Sequence, residues 1–223
     1  MTAKLFISAI LKFSLGVVLV GLLIFLPAGT FQYFNGWLFM GTLFIPMFLA
    51  GLVMMAKNPK LLKSRLDAKE KEAEQSLVVK LSGLMFLAGF IVAGLGVRFG
   101  WYILPKSVVI ASAIVFLIAY ILYAEVLREN TYLSRTIEVQ EGQTVIDTGL
   151  YSIVRHPMYS VTLLLFLSMP LVLGSVYSFI IFSIYPFIIA KRIKHEEEFL
   201  EKELKGYKEY KQKVKYRLIP FIW

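Results

Sequence analysis

Residues 151–159 read Tyr-Ser-Ile-Val-Arg-His-Pro-Met-Tyr, which brings a guanidinium, an imidazole and two phenols into one short run. Pro157 suits the first turn of a helix, where its missing N–H costs nothing. Arg155 and His156 then stand just before a helix, at the end where anions are favoured. Further on, Arg192 and Glu196 lie four positions apart. On a helix they share one face, where they can pair or jointly grip a ligand. Together these groups offer cations for an anion, a carboxylate for an ammonium and rings for a flat group. Each half also has a plainer reading. Tyr151 and Tyr159 suit an aromatic belt around an interfacial cap, and Arg192–Glu196 suits a solvated helix with several Lys/Glu pairs. An acidic run at 196–198 in a basic background is less expected of the second.

Other chemistries are excluded by composition. Cysteine is absent and only His156 and His195 occur, so there are no disulfides and no thiolate ligands. Neither a His/Cys zinc site nor a histidine-rich di-iron site can be assembled. A carboxylate-only magnesium site has no motif behind it, and no metal is expected.

The elements that must position these groups are membrane helices. Of 223 residues, 58% are hydrophobic and only 17% charged, too few polar residues to cover a soluble domain. Four stretches reach or approach the roughly 20 apolar residues that cross a bilayer: Leu5–Leu26, Trp37–Ala56, Leu77–Val97 and Val108–Val126. A fifth apolar region, Ser160–Ala190, is divided by Gly174–Ser175, and a helical hairpin fits it better than one long broken helix. The first stretch is longer than a signal-peptide core and other spans follow at once, so it is read as a span. The expected fold is an all-α integral membrane protein with four full transmembrane helices, a C-terminal membrane hairpin and a cytoplasmic pocket at the membrane boundary. Residues 1–126 form the transmembrane region, and 127–223 a catalytic region of loop, hairpin, helix and tail.

Intervening stretches are read structurally. Residues 57–80 mix both charge signs with helix formers, as an interfacial helix and a polar connector do. The glycines of 94–100 end a membrane span and do not join a strand to a helix, so they are no nucleotide loop. Small residues at Gly83, Gly89, Ala93, Gly94 and Gly96 are expected to permit close helix packing. "EVQEGQTVIDTG" reads as a short extended or hairpin element turning at Gly142. It either lines a connector or presents amides and small apolar side chains to a flat ligand. The last residues, Trp223 included, are expected to fold back on the membrane surface.

The +9 formal charge follows the topology. The N-terminus, 57–80, 127–158 and the tail after 190 hold 22 of the 24 basic residues, leaving Arg98 and Lys106 to the two intervening loops. By the positive-inside rule, the N-terminus, both large loops and the tail are cytoplasmic. Anionic membrane lipids account for the rest of the basic excess, and no nucleic-acid partner is required.

Three pieces, "TGLYSIVRHPMY", "RIKHEEEFL" and "YKEYKQKVKYRLIP", resemble the isoprenylcysteine carboxyl methyltransferase family and its phospholipid methyltransferase relatives. Order and spacing agree along with residue types over about residues 130–220. The resemblance implies S-adenosylmethionine as cofactor and a lipid-like methyl acceptor. It implies cofactor contacts from Gln143, Thr144, Val145 and Ile146, from Tyr151, and from His156, Pro157, Met158 and Tyr159. Arg192 would meet the substrate and Glu196 would help hold the cofactor, both as catalytic residues. A histidine often found at the start of the first stretch is Gln143 here. On this reading His156 takes the cofactor carboxylate, Val145, Ile146 and Met158 sandwich the adenine, and Glu196 meets the ammonium. A water-soluble cofactor and a hydrophobic acceptor would meet only at the membrane boundary, which explains polar residues at the lip of a span.

The acceptor stays open. A carboxylate, already ionised, needs an arginine for positioning, which favours Arg192 and O-methylation of a prenylcysteine-like lipid. A phospholipid amine would need a base, for which Glu197 or His195 is available. Sterol reductases with similar C-terminal motifs use NADPH, whose phosphates want more clustered arginines than Arg155 and Arg192. A non-catalytic scaffold or transporter is opposed by spans that lack intramembrane charges.

Overall fold

A computed structural model describes residues 3–66, 73–133 and 139–223. Lys69, Lys71 and Arg135, part of the 57–80 connector and part of the 131–150 stretch lie outside the described residues. The architecture is helical: α1 (Ala3–Ala28), α2 (Phe34–Lys57), α3 (Pro59–Leu66), α4 (Ala73–Arg98), α5 (Lys106–Glu129), a 3-10 turn (Gly149–Ser152), α6 (Pro157–Val172), α7 (Val176–Phe182), α8 (Tyr185–Glu203) and α9 (Tyr207–Lys213). The described residues contain no strand, only an isolated bridge between Ile103 and Ser175.

Among the described residues, five helical stretches are long and apolar enough to cross a membrane: α1, α2, α4 from Leu77, α5, and α7 with α8 taken together. Each expected span lies inside one of the first four helices. At about 1.5 Å per residue, the 24 residues of α5 reach roughly 36 Å, more than the hydrocarbon thickness. Leu11, Leu15, Val18, Leu22 and Leu26 of α1 are all exposed, which only lipid makes favourable. The protein is an integral, multi-pass membrane protein.

The region after residue 157 is an antiparallel hairpin. Phe166 meets Tyr185 with ring centroids 4.6 Å apart, Tyr159 meets Arg192, and His156 meets Glu197. Positions thus fall along α6 as they rise along the second arm. Gly174 makes the turn at φ +73°, a conformation that suits glycine. The arms are unequal, because α6 has 16 residues while the return arm runs through α7 and α8, with a break at Ser183–Ile184.

Packing around the hairpin sorts the small residues of α4. Gly89 lies under α7, where Ser178 Oγ donates to its carbonyl at 2.9 Å and a Cβ would run into the Phe182 ring. Gly94 is crossed by Ile24, Pro27 and Ala28 of α1. Both are close-packing positions as expected. Gly83 is not, since a Cβ there would meet nothing within 4 Å.

The tail folds back onto the start of α6, with Ile219, Phe221 and Ile222 left exposed. The amides of Arg155 and His156 donate to the carbonyls of Tyr216 and Arg217 at 2.8 and 2.9 Å, and Ser160 Oγ donates to Leu218 O at 2.6 Å. The Trp223 carbonyl accepts from the amides of Arg217, Leu218 and Ile219, and the Arg217 guanidinium lies 5.2 Å from the Trp223 ring centre. The reason is a pair of buried residues before α6 whose backbone donors need acceptors. The tail supplies them.

Candidate functional site

The start of α6 is fixed by an ion cluster around Glu197, which is 2% exposed. Arg155 Nε donates to its Oε1 at 2.7 Å and Arg217 Nε to its Oε2 at 3.0 Å. His156 Nε2 stands 3.2 Å from Oε1, and Lys211 Nζ is 3.9 Å from Oε2. Arg155 also donates to the carbonyls of Val214 and Lys215 at 2.7 and 2.8 Å. A buried carboxylate needs such company to remain charged. One anion beside Arg155 and His156 is the chain's own Glu197, and their amides are bound to the tail.

Glu196 points elsewhere. Tyr159 Oη donates to its carboxylate and accepts from Arg192 Nε at 2.9 Å, so one phenol joins the two residues. His156 Nδ1 is 3.8 Å from Glu196 Oε1. His156 thus stands between neighbouring carboxylates of α8, one ring nitrogen toward each.

Tyr151 is set by its surroundings. Glu129, at the end of α5, accepts from Thr148 Oγ1 at 2.9 Å and from the Leu150 amide at 3.1 Å, holding the 3-10 turn. Asn130 Nδ2 donates to the Tyr151 hydroxyl at 3.0 Å. Tyr210 Oη donates to the Tyr151 carbonyl at 2.7 Å, and burial raises the Tyr210 phenol well above its ordinary range. The preceding stretch turns at Gly142, with the Gln143 amide donating to Gln140 O at 3.0 Å. In the described part it is irregular chain and not a strand pair. Lys213 Nζ ties it to α9 through Asp147 at 2.7 Å, and that hydrogen bond and charge lower the Asp147 carboxyl.

These elements enclose a cavity of about 520 Å³, within the range of small-molecule pockets, roughly 300–1,000 Å³. Gln143, Thr144, Val145, Ile146, Tyr151, His156, Met158, Tyr159, Arg192 and Glu196 all line it. Pro157 does not; its ring is fully buried at the start of α6, where it shapes the helix. Glu197 and His195 do not line it either.

Three zones follow from the lining. Tyr159, Arg192, Glu196 and His156 make a polar centre. On one side Val145, Leu200, Leu204, Tyr207 and Tyr210 form an aliphatic and aromatic slot. On the other, Val79, Gly83 and Phe86 of α4 face Phe166, Tyr185 and Ile189 of the hairpin. Val79 and Gly83 are exposed, so this zone opens sideways on the flank of a membrane helix.

Sequence reasoning missed the Glu197 cluster, the α4 wall and Tyr207. The wall also crosses the expected boundary at residue 126, because α4 and Tyr123 contribute. A signal existed for α9, where Tyr207 and Tyr210 lie three apart and so share a face. None existed in α4.

A polar centre between two apolar zones, open to the flank of a membrane helix, can hold an amphipathic molecule. Residues 109–202 match the isoprenylcysteine carboxyl methyltransferase (ICMT) family. That family is one of membrane methyltransferases, which supports an enzyme of this class. No curated protein matches the chain. The match takes in α6 and the polar centre on α8, and leaves out the α4 wall before it and Tyr207 after it.

Proposed function

We propose that the protein is a methyltransferase that uses S-adenosylmethionine to methylate the carboxylate of a prenylcysteine-like lipid at the cytoplasmic membrane boundary. The observation that carries the reading is the Arg192–Tyr159–Glu196 bridge, lying between an aromatic slot and an apolar zone open to lipid. The residues present suit such a cofactor. Val145, Ile146 and Met158 offer apolar surface for the adenine, with Gln143, Thr144 and Tyr151 around it. His156 and Tyr159 face its amino-acid end, and Glu196 is the carboxylate for its ammonium. When bound, S-adenosylmethionine supplies an activated methyl group on a sulfonium.

The chain's own work is to orient and to exclude water. Arg192 takes the acceptor carboxylate, and Tyr159 fixes the angle between Arg192 and Glu196. Alignment of this kind contributes much of the acceleration in a displacement. The α4–hairpin zone receives the lipid tail, so the acceptor enters sideways from the bilayer. The 22-of-24 distribution of basic residues supports a cytoplasmic face for the site.

A carboxylate acceptor needs no base, which agrees with the cavity. The two bases considered for an amine acceptor, Glu197 and His195, stand outside its lining. The NADPH reading is disfavoured for a related reason. Arg155 is already bound by Glu197 and two tail carbonyls, so it adds little to a phosphate site.

Calorimetric titration of the purified protein with S-adenosylhomocysteine and with NADPH tests the cofactor. Saturable binding of the first alone is expected. Parallel methylation assays with a carboxylate lipid and an amine lipid test the acceptor, and product from the carboxylate lipid is expected. Binding of NADPH in place of S-adenosylhomocysteine, or methylation of the amine lipid alone, would overturn the corresponding half.

A further inference from the structure

Tyr207 is the first residue of α9 and is 4% exposed. Among the described residues, its hydroxyl is the one buried side-chain polar atom without a hydrogen-bond partner. Such an atom in a packed interior is costly, by roughly 1–3 kcal/mol, and native structures rarely leave one unexplained. The neighbouring phenols are all used: Tyr210 donates to Tyr151 O, Tyr159 to Glu196, and Tyr151 accepts from Asn130. Tyr207 lines the aromatic slot of the same cavity. An orphan hydroxyl in a pocket wall is what a missing ligand atom would explain.

The slot's chemistry narrows that atom. Val145, Leu200 and Leu204 are aliphatic, Tyr210 adds a ring, and the nearby Arg155 is already taken by Glu197 and the carbonyls of Val214 and Lys215. The slot therefore suits a flat neutral group better than a phosphate or a carboxylate. Burial, then the charges of Glu197 and Glu196, push the Tyr207 phenol well above its ordinary range. It stays protonated and acts as a donor, and its partner must be an acceptor. A purine is flat, is neutral and carries unprotonated ring nitrogens.

We infer that Tyr207 is an adenine-recognition residue, its hydroxyl donating a hydrogen bond to a ring nitrogen of the cofactor's base. This rests on the reading of the cavity as an S-adenosylmethionine site and goes beyond it. It assigns the base to the α9 end of the cavity, outside the matched region, and gives the slot a polar contact as well as apolar walls.

Tyr207→Phe removes the oxygen and keeps the ring. The unliganded variant should unfold at the wild-type temperature or slightly above it, because it loses an unsatisfied buried group. Its affinity for S-adenosylhomocysteine, by titration of the full-length protein in detergent, should fall by about tenfold, as loss of one buried hydrogen bond implies. The 1-deaza, 3-deaza and 7-deaza adenine analogues then locate the bond. One of them should bind wild type about as weakly as the parent ligand binds the variant, and should lose nothing further on the variant. Equal affinity of wild type and variant for S-adenosylhomocysteine would overturn the assignment while leaving the cofactor reading intact. So would a loss that is the same for all four ligands, or a lowered unfolding temperature of the unliganded variant. A wild-type protein that binds no S-adenosylhomocysteine overturns the cofactor reading itself, and this inference with it.

Discussion

Glu196 and Glu197 are adjacent in α8, yet they belong to two different regions of the molecule. Glu197 faces the tail, where Arg155, His156 and Arg217 surround it in a dry interior. Glu196 faces the cavity, where Tyr159 is its donor and its side chain is 23% exposed. Successive residues of a helix point about 100° apart, enough to separate a structural carboxylate from a ligand-binding one. The difference shows how one helix fixes the site's frame with one face and serves its contents with the next. His156 touches both regions, so the frame sets the ring that faces the cavity.

The largest effect is expected from breaking the structural side. Glu197→Ala leaves Arg155 buried without its counter-charge, which typically costs about 3–5 kcal/mol. The unfolding temperature in detergent should drop sharply, and all ligand binding should fall with it. The same truncation one residue earlier, Glu196→Ala, should cost within about 1 kcal/mol of stability. It should weaken S-adenosylhomocysteine binding by about 1–3 kcal/mol. Equal destabilisation by the two variants would erase the distinction between the faces.

Arg192→Lys sharpens the cavity side. It keeps the charge but loses the planar fork that matches a carboxylate. Turnover with a carboxylate lipid should fall roughly 10- to 100-fold, the scale of one charged hydrogen bond, while affinity for S-adenosylhomocysteine changes little. Unchanged turnover would mean that Arg192 only braces Tyr159.

The smallest effect belongs to the Asp147–Lys213 tie on the surface. The Asp147 carboxyl is lowered in the folded state, first by the Lys213 hydrogen bond and then by its charge. Its contribution is therefore present above the unfolded carboxyl pKa, about 3.9, and is lost as pH falls through the lower folded value. Asp147→Asn should leave the unfolding temperature at neutral pH within error, since both groups are exposed. It should slightly flatten the acid side of the stability curve. A clear loss at neutral pH would show that the loop bearing Val145 and Ile146 depends on this tie.

Much of the site was legible in the residues because its motifs are local. Arg-His-Pro marks a helix start, and the four-residue spacing puts Arg192 and Glu196 on one face wherever the helix lies. Tyr159 joining them was not legible, since it needs the hairpin's register. The small residues of α4 make the same point. Gly89 and Gly94 pack against α7 and α1 while Gly83 opens on the cavity, yet all three look alike in sequence. Nothing within a helix says which neighbour will cover a given glycine.

What the sequence by itself determined was the set of apolar helices, the hairpin turn at Gly174 and the polar groups gathered at the hairpin's ends. Helix formation and transfer into a bilayer depend on composition over about twenty consecutive residues, and that is printed in the chain. What only the tertiary structure decided was which carboxylate is buried, where the tail lies and which phenol lacks a partner. The fate of a polar group depends on the atoms that exclude water around it and on whether they offer a hydrogen bond. For Glu197 those atoms come from α6 and from the tail, and for Tyr207 from a cavity whose far wall is α4. Those neighbours are distant in sequence, and only the fold brings them together.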